Sequence, residues 1–351
     1  MKNINEKFLE ASKNILEKNL KIFEKPFCDK KVVLVYDTDS KLSRILWEAY
    51  AKNIKNYNQQ GGFSPLWEII IFWEIEKEVL KEKLMNLEAD STVILVQSTN
   101  FRLDNFRLRL NLKNAWIWCI EHNHLWYIRD WEIENYADAI EYRTPYYIDL
   151  STKLKEKFDK ADELVVVSKN WEKLTLTWGF EDMKQNTWDF WERIRAGSFP
   201  IWENFTEIKN FDNFNWKIAI RAYPNLTFEV QFPKVFTIEI KESRLIWYSE
   251  NTPEEFIEIV GKIKAWEDWE CFVRELGFGL NPWITWDKTL NDVNACERIA
   301  GFHMSLWKKH QIYRKKFHRK ITQRYHIDIF SDTDYILLDW VKIFEKEKFM
   351  I

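Results

Sequence analysis

Hydrophobic and polar positions along the chain follow two rhythms. Residues 32–36 (VVLVY) form a short continuous apolar run, the pattern of a strand buried on both faces of a parallel sheet. Behind it, Leu42, Ile45, Leu46, Ala49 and Tyr50 recur at helical spacing across residues 41–56. The alternation continues with a strand at 68–72 (EIIIF), a charged helix around 74–87, a strand at 92–97 (TVILVQ) and a basic helix around 102–112. Runs at 115–120 and 164–167 add strands, with a helix around 148–162 between them. This predicts an α/β chain whose N-terminal domain is an open doubly wound sheet with helices on both faces.

The rhythm changes after about residue 189. Short strands are predicted at 217–221, 234–240 and 243–248, with a helix over 253–265 that opens on the start signal Thr252-Pro253-Glu254-Glu255. Apolar runs at 271–276, 299–306 and 325–330 complete a C-terminal α+β domain. The division is expected to fall between residues 1–190 and 191–351.

Composition narrows the function classes. The 351 residues are 46% hydrophobic and 30% charged with a formal net charge of −3, a soluble globular balance with enough chain for sizeable cores. The absence of a basic excess argues against a general nucleic-acid binder. No apolar run is long enough to span a membrane, and the charged amphipathic stretch at residues 1–20 has no apolar signal-peptide core. Cys28, Cys119, Cys271 and Cys296 follow no ligand spacing and are read as reduced, mostly buried thiols. A cytoplasmic protein is expected, with a homodimer left open.

One count departs from the rest: 20 Trp against 8 Gly. Ordinary usage of about 7% Gly would place roughly 25 in such a chain. Asn170-Trp171, Asn215-Trp216, Asp130-Trp131 and Asp339-Trp340 stand where Asn-Gly and Asp-Gly turns are natural. Trp178 precedes Gly179, and Trp283 follows Pro282. Many of these Trp are therefore expected at glycine positions, the result of UGA codons read as Trp rather than Gly. They should occupy turns, exposed sites or left-handed backbone.

Candidate chemistry gathers near the C-terminus. In His326-Ile327-Asp328 the first and third residues share a face of a strand and form a metal half-site. His303 lies in the apolar segment Phe302-His303-Met304, and Glu275 ends the apolar run Phe272-Val273-Arg274, where a carboxylate is costly unless paired or metal-bound. A salt bridge to Arg274 would also satisfy it. Glu297 beside Arg298 is read as a helix-surface residue. Glu121-His122-Asn123-His124 follows a predicted strand and is read as a polar turn.

These segments resemble the metallo-aminopeptidases typified by aminopeptidase T, closest to its archaeal-type relatives. The blocks are Pro200-Ile201-Trp202-Glu203-Asn204-Phe205-Thr206, Glu275-Leu276-Gly277-Phe278-Gly279-Leu280-Asn281-Pro282, Gly301-Phe302-His303-Met304-Ser305-Leu306-Trp307 and His326-Ile327-Asp328, with Trp202 and Trp307 standing where that family has Gly. The resemblance implies five metal ligands, Glu203, Glu275, His303, His326 and Asp328, holding two divalent ions (Zn, Co or Mn) that activate a water. It implies removal of N-terminal residues from peptide substrates, with Glu275 as general base. His310 stands where the family has a Tyr thought to stabilise the tetrahedral intermediate. Two alternatives stay open: a non-haem iron ring-cleaving dioxygenase of the same superfamily, and a non-catalytic metal-binding or structural protein.

Overall fold

The first apolar run becomes β1 (Lys31–Tyr36), joined by β2 (Leu66–Ile71), β3 (Thr92–Val96), β4 (Trp118–His122) and β5 (Ala196–Phe199) in a parallel sheet ordered β2-β1-β3-β4-β5. The structure, a computed structural model, describes residues 3–24, 29–59, 66–101, 103, 106, 108–141, 146–187, 195–266, 269–306 and 325–351. Every residue of β3 is buried, so its sequence reads as a continuous apolar run rather than an alternation. Helix α1 (Ile4–Asn14) packs on α2 (Lys41–Gln59), which lies against β1 and β3. Leu80 and Leu84 of α3 (Lys77–Met85) and Leu108 and Leu112 of α4 (Leu108–Asn114) share a core with Val33, Val35, Val93, Leu95 and Cys119.

A single cut near residue 190 does not describe the chain. Met1–Arg143, Trp188–Ile201 and Leu290–Asn294 make one compact unit, and Thr144–Thr187, Trp202–Thr289 and Ala295–Ile351 make the other. The chain returns to the first unit because β5 completes the parallel sheet beside β4. Strand Glu163–Ser168, expected in the N-terminal alternation, pairs antiparallel with Thr333–Leu338 and Lys173–Thr177 in the second unit. A short apolar run reveals that a strand exists and leaves its partner open.

Among the described residues, the second unit is built on a 14-stranded antiparallel sheet. Its relevant part runs in the order β7-β10-β9-β8-β6, where β6 is Glu203–Glu207, β7 Phe214–Pro224, β8 Val273–Gly279, β9 Gly301–Leu306 and β10 Ile327–Ser331. Among the described residues no helix is long and apolar enough to cross a membrane. Cys119, Cys271 and Cys296 are buried; Cys28 lies outside the described residues.

The tryptophans occupy unusual backbone. Trp116, Trp171, Trp178, Trp202, Trp216, Trp269 and Trp340 have φ between +63° (Trp116) and +92° (Trp216). Asp339 and Trp340, at +46° and +67°, form the two-residue loop between the paired residues Leu338 and Val341. Positive φ at both loop positions is the type I′ geometry that favours Asp-Gly. Trp131 is exposed in a 3-10 turn, Asp130–Glu132, with ordinary backbone.

The polar stretch at 121–124 is also more than a turn. His122 ends β4 in the core of the first unit, with Nε2 2.9 Å from the Tyr50 hydroxyl, Nδ1 2.9 Å from the Tyr136 hydroxyl, and its ring stacked on Phe199. Burial disfavours the imidazolium and pushes the pKa of His122 down to about 3. Unfolding returns the ring to its ordinary value of 6.5, so between those values the unfolded chain holds a proton that the folded one lacks. Stability contributed by this group is therefore full above pH 6.5 and falls with acid. At pH 5 the loss relative to pH 7 should be about 2 kcal/mol by urea unfolding, and His122→Asn should flatten the slope. An unchanged slope in that variant would assign the pH dependence to other groups.

Candidate functional site

Strand register brings distant residues to one surface. Across β8 and β6, Gly279 faces Glu203 and Glu275 faces Glu207; across β8 and β9, Gly277 faces His303 and Glu275 faces Ser305. Across β9 and β10, Ser305 faces Asp328. Residues directly opposite one another share a face of the sheet, as do residues two apart. Glu203, Glu207, Glu275, His303, Ser305 and Asp328 therefore project to the same side. His326, just before β10, bends back so that its Nε2 lies 3.0 Å from Asp328 Oδ1.

The two glycines of β8 make room for this arrangement. A Cβ on Gly277 would lie 1.9 Å from His303 Nε2, so the imidazole rests where any side chain would stand. A Cβ on Gly279 would lie 2.0 Å from the Ile299 carbonyl oxygen, and its absence admits the backbone at 297–299. That segment delivers Arg298, whose Nη1 is 2.5 Å from Glu203 Oε2 and 2.7 Å from Glu297 Oε2. The other Glu203 oxygen lies 3.0 Å from His303 Nε2, and Asn186 donates to Oε2 at 3.3 Å. Ser305 donates to Asp328 Oδ1. Beside these, Arg274 and Glu207 form a fully buried ion pair at 3.0 Å.

Electrostatics differ from one carboxyl to the next. Burial opposes ionisation of Glu203, but Arg298, His303 and Asn186 outweigh it and hold its pKa below the usual carboxylate value. Asp328 is likewise held down, by His326, His303 and Ser305 against the effect of burial. Burial pushes Glu275 up to about 8; Asp328, Glu203 and Glu207 add to the rise while His326 opposes it. Glu297 is raised well above its usual value by burial and by Asp328, to which it hydrogen-bonds. For His326, desolvation works against the cation, yet Asp328, Glu275 and Glu203 raise its pKa to about 9.

All five expected ligands thus belong to one face or its edge, where Glu203 pairs with Arg298 and His303, and Asp328 with His326. Among the described residues no three His, Cys, Asp or Glu side chains stand together in metal-holding geometry. His310 lies outside the described residues, as do Trp307 and the basic stretch 308–324. Arg274 takes Glu207 as an ion-pair partner. Glu297 is not a surface residue but is turned inward on Arg298 and Asp328. The sequence motifs pass over Arg298 itself, although an arginine between Cys296 and Ile299, both buried, is a signal of a paired internal charge.

No protein-family model matches the chain, and no curated protein matches it. Among solved structures, a 2,5-dihydroxypyridine dioxygenase from Pseudomonas putida KT2440 is similar with a TM-score of 0.65 and 12% identity, covering 99% of this chain and 97% of that one. At this identity the likeness shows a shared fold, a mixed α/β chain with a parallel and an antiparallel sheet. This finding corrects the resemblance to aminopeptidase T and the peptidase and hydrolase assignments that came with it. The short blocks mark the strands and close glycine contacts of the platform, which do not specify the reaction. The dinuclear Zn, Co or Mn site falls with it. Glu203 is already engaged by a buried guanidinium, an unfavourable neighbour for two further dications.

The contact at Gly277 is open to test. Gly277→Ala should overpack the site and destabilise the chain by about 1–3 kcal/mol, whereas adding His303→Ala should recover most of that loss in denaturant unfolding. A double variant no more stable than Gly277→Ala alone would show that the imidazole is not what the new methyl group meets.

Proposed function

We propose that this chain is a mononuclear non-haem iron dioxygenase that opens a hydroxylated aromatic ring. The observation that carries the proposal is that His303 and Asp328 project from adjacent strands to one face, with His326 at its edge 3.0 Å from Asp328, in a fold shared with a ring dioxygenase. Two imidazoles and one carboxylate, with further positions left open, are the ligand set suited to Fe(II) in oxygenases. The donors fit a cation chemically, since imidazole nitrogens and a carboxylate are ligands of Fe(II) and His326 Nε2 already lies 3.0 Å from Asp328 Oδ1. One ion suits the charge balance better than two: Arg298 offsets Glu203, and both Glu275 and Glu297 favour their neutral forms.

Bound Fe(II) would supply the activation of O2, which side chains alone do not provide. The chain's own residues orient and hold protons. Ser305 and Glu297 hydrogen-bond Asp328 and fix the direction of its carboxylate, the outer support that ligands of this kind require. Arg298 holds Glu203 against the face, so that Glu203 has a positioning role in this reading. Glu275, whose pKa burial raises to about 8, would serve in this reading as proton donor to an oxyanion that develops on the substrate.

Metal analysis of purified protein should find about one iron per chain, and O2 uptake should follow addition of a dihydroxylated pyridine or benzene. Asp328→Ala and His326→Ala should each lose the iron and lower the rate at least about 100-fold. Two metals per chain, or no O2 uptake by iron-loaded protein across such a panel, would overturn the proposal. Protein that takes up no metal at all would point to the non-catalytic alternative.

A further inference from the structure

Left-handed backbone is strongly enriched in one residue type. Seven of the 17 tryptophans described have φ between +63° and +92°, against nine among all other non-glycine residues described. In this region the Cβ of an L-residue crowds the following carbonyl oxygen, and glycine alone escapes the penalty. A bulky residue needs compensation, normally from burial. Six of the seven lack that burial, since Trp116, Trp171, Trp178, Trp216, Trp269 and Trp340 are between 62% and 78% exposed. Their neighbours fit the same reading. Trp340 follows Asp339 in the type I′ loop, Trp171 follows Asn170 in the turn between Glu163–Ser168 and Lys173–Thr177, and Trp178 precedes Gly179, itself at φ +92°.

The seventh, Trp202, is the largest fully buried side chain of those described, at φ +87°. Its backbone is held from both sides. The N–H donates to the Asn186 carbonyl at 3.1 Å, and the carbonyl accepts from Leu280 N–H at 2.8 Å. The strands therefore fix a conformation that suits glycine, and the indole lies against Tyr147 immediately before Glu203. Other tryptophans look native. Trp118 sits in β4 with ordinary φ, donates from Nε1 to Asp90 at 3.3 Å and lies under Arg195, and Trp47 stacks on Tyr36 at 4.3 Å.

We infer that Trp116, Trp171, Trp178, Trp202, Trp216, Trp269 and Trp340 are glycines in the protein as its source makes it, encoded by UGA codons that the source reads as glycine. The shortage of glycine and the surplus of tryptophan are then one substitution seen twice. A glycine at position 202 would leave open the space beside Tyr147 that the indole of Trp202 fills. The inference holds whatever the reaction of the site.

Two measurements test it. The gene should carry UGA at these seven positions and UGG at Trp47 and Trp118; UGG at the seven would overturn the inference. Thermal unfolding of the full chain gives the physical counterpart. With the six exposed positions changed to Gly, Tm should rise by at least about 5 °C. The same six changed to Ala should gain less than the Gly set, because Ala keeps the Cβ that left-handed backbone rejects. Trp118→Gly should lower Tm. An Ala set as stable as the Gly set, or a Gly set less stable than the tryptophan chain, would overturn the inference.

Discussion

Burying charge is the constraint on which the second unit depends. Its antiparallel sheet removes Glu203, Glu207, Glu275, Asp328, Arg274 and Arg298 from solvent. Each ion taken out of water costs several kcal/mol, and mutual attraction offsets this only when geometry is close and the remaining hydrogen bonds are made. The sheet meets the condition in two ways. Arg274 takes Glu207, Arg298 takes Glu203 and Glu297, and Glu275 and Glu297 shift toward their neutral forms. Close approach is what makes the pairing possible, and it comes from the two glycines of β8. The Arg298–Glu203 pair could not form at 2.5 Å if the backbone at 297–299 were held off by a methyl group at residue 279.

Much of this is legible in the sequence, because local pattern reports local structure. The apolar runs at β1 and β3 and the helical spacing of α2 lie within a few residues of the observed bounds. Glu203, Glu275, His303, His326 and Asp328 stand out in the sequence, and register places them on one face or its edge. Pairing is what the sequence hides. Nothing in the run at 163–168 says that its partner lies at 333–338, and nothing at 188–201 says that the chain has returned to the first sheet. The glycines of Glu275-Leu276-Gly277-Phe278-Gly279 are visible as a motif, but their reason is a space that exists only after β9 and the 297–299 segment are in place. The peptidase reading fails for the same reason. Motifs of this kind describe how the platform is assembled and are silent on which cation and which substrate it serves.

The alternation along these strands has one more consequence. Positions that face the site alternate with Leu276, Phe278, Met304 and Ile329, all of which are buried in the hydrophobic core. Chemistry and cohesion are thus carried by different residues of the same strands, one position apart. A substitution on the polar face can alter charge, donor type or metal preference without touching the apolar face that keeps the sheet folded. Such a platform is free to drift in activity while its architecture stays fixed, so that similar backbones can outlast both their sequence likeness and their original reaction.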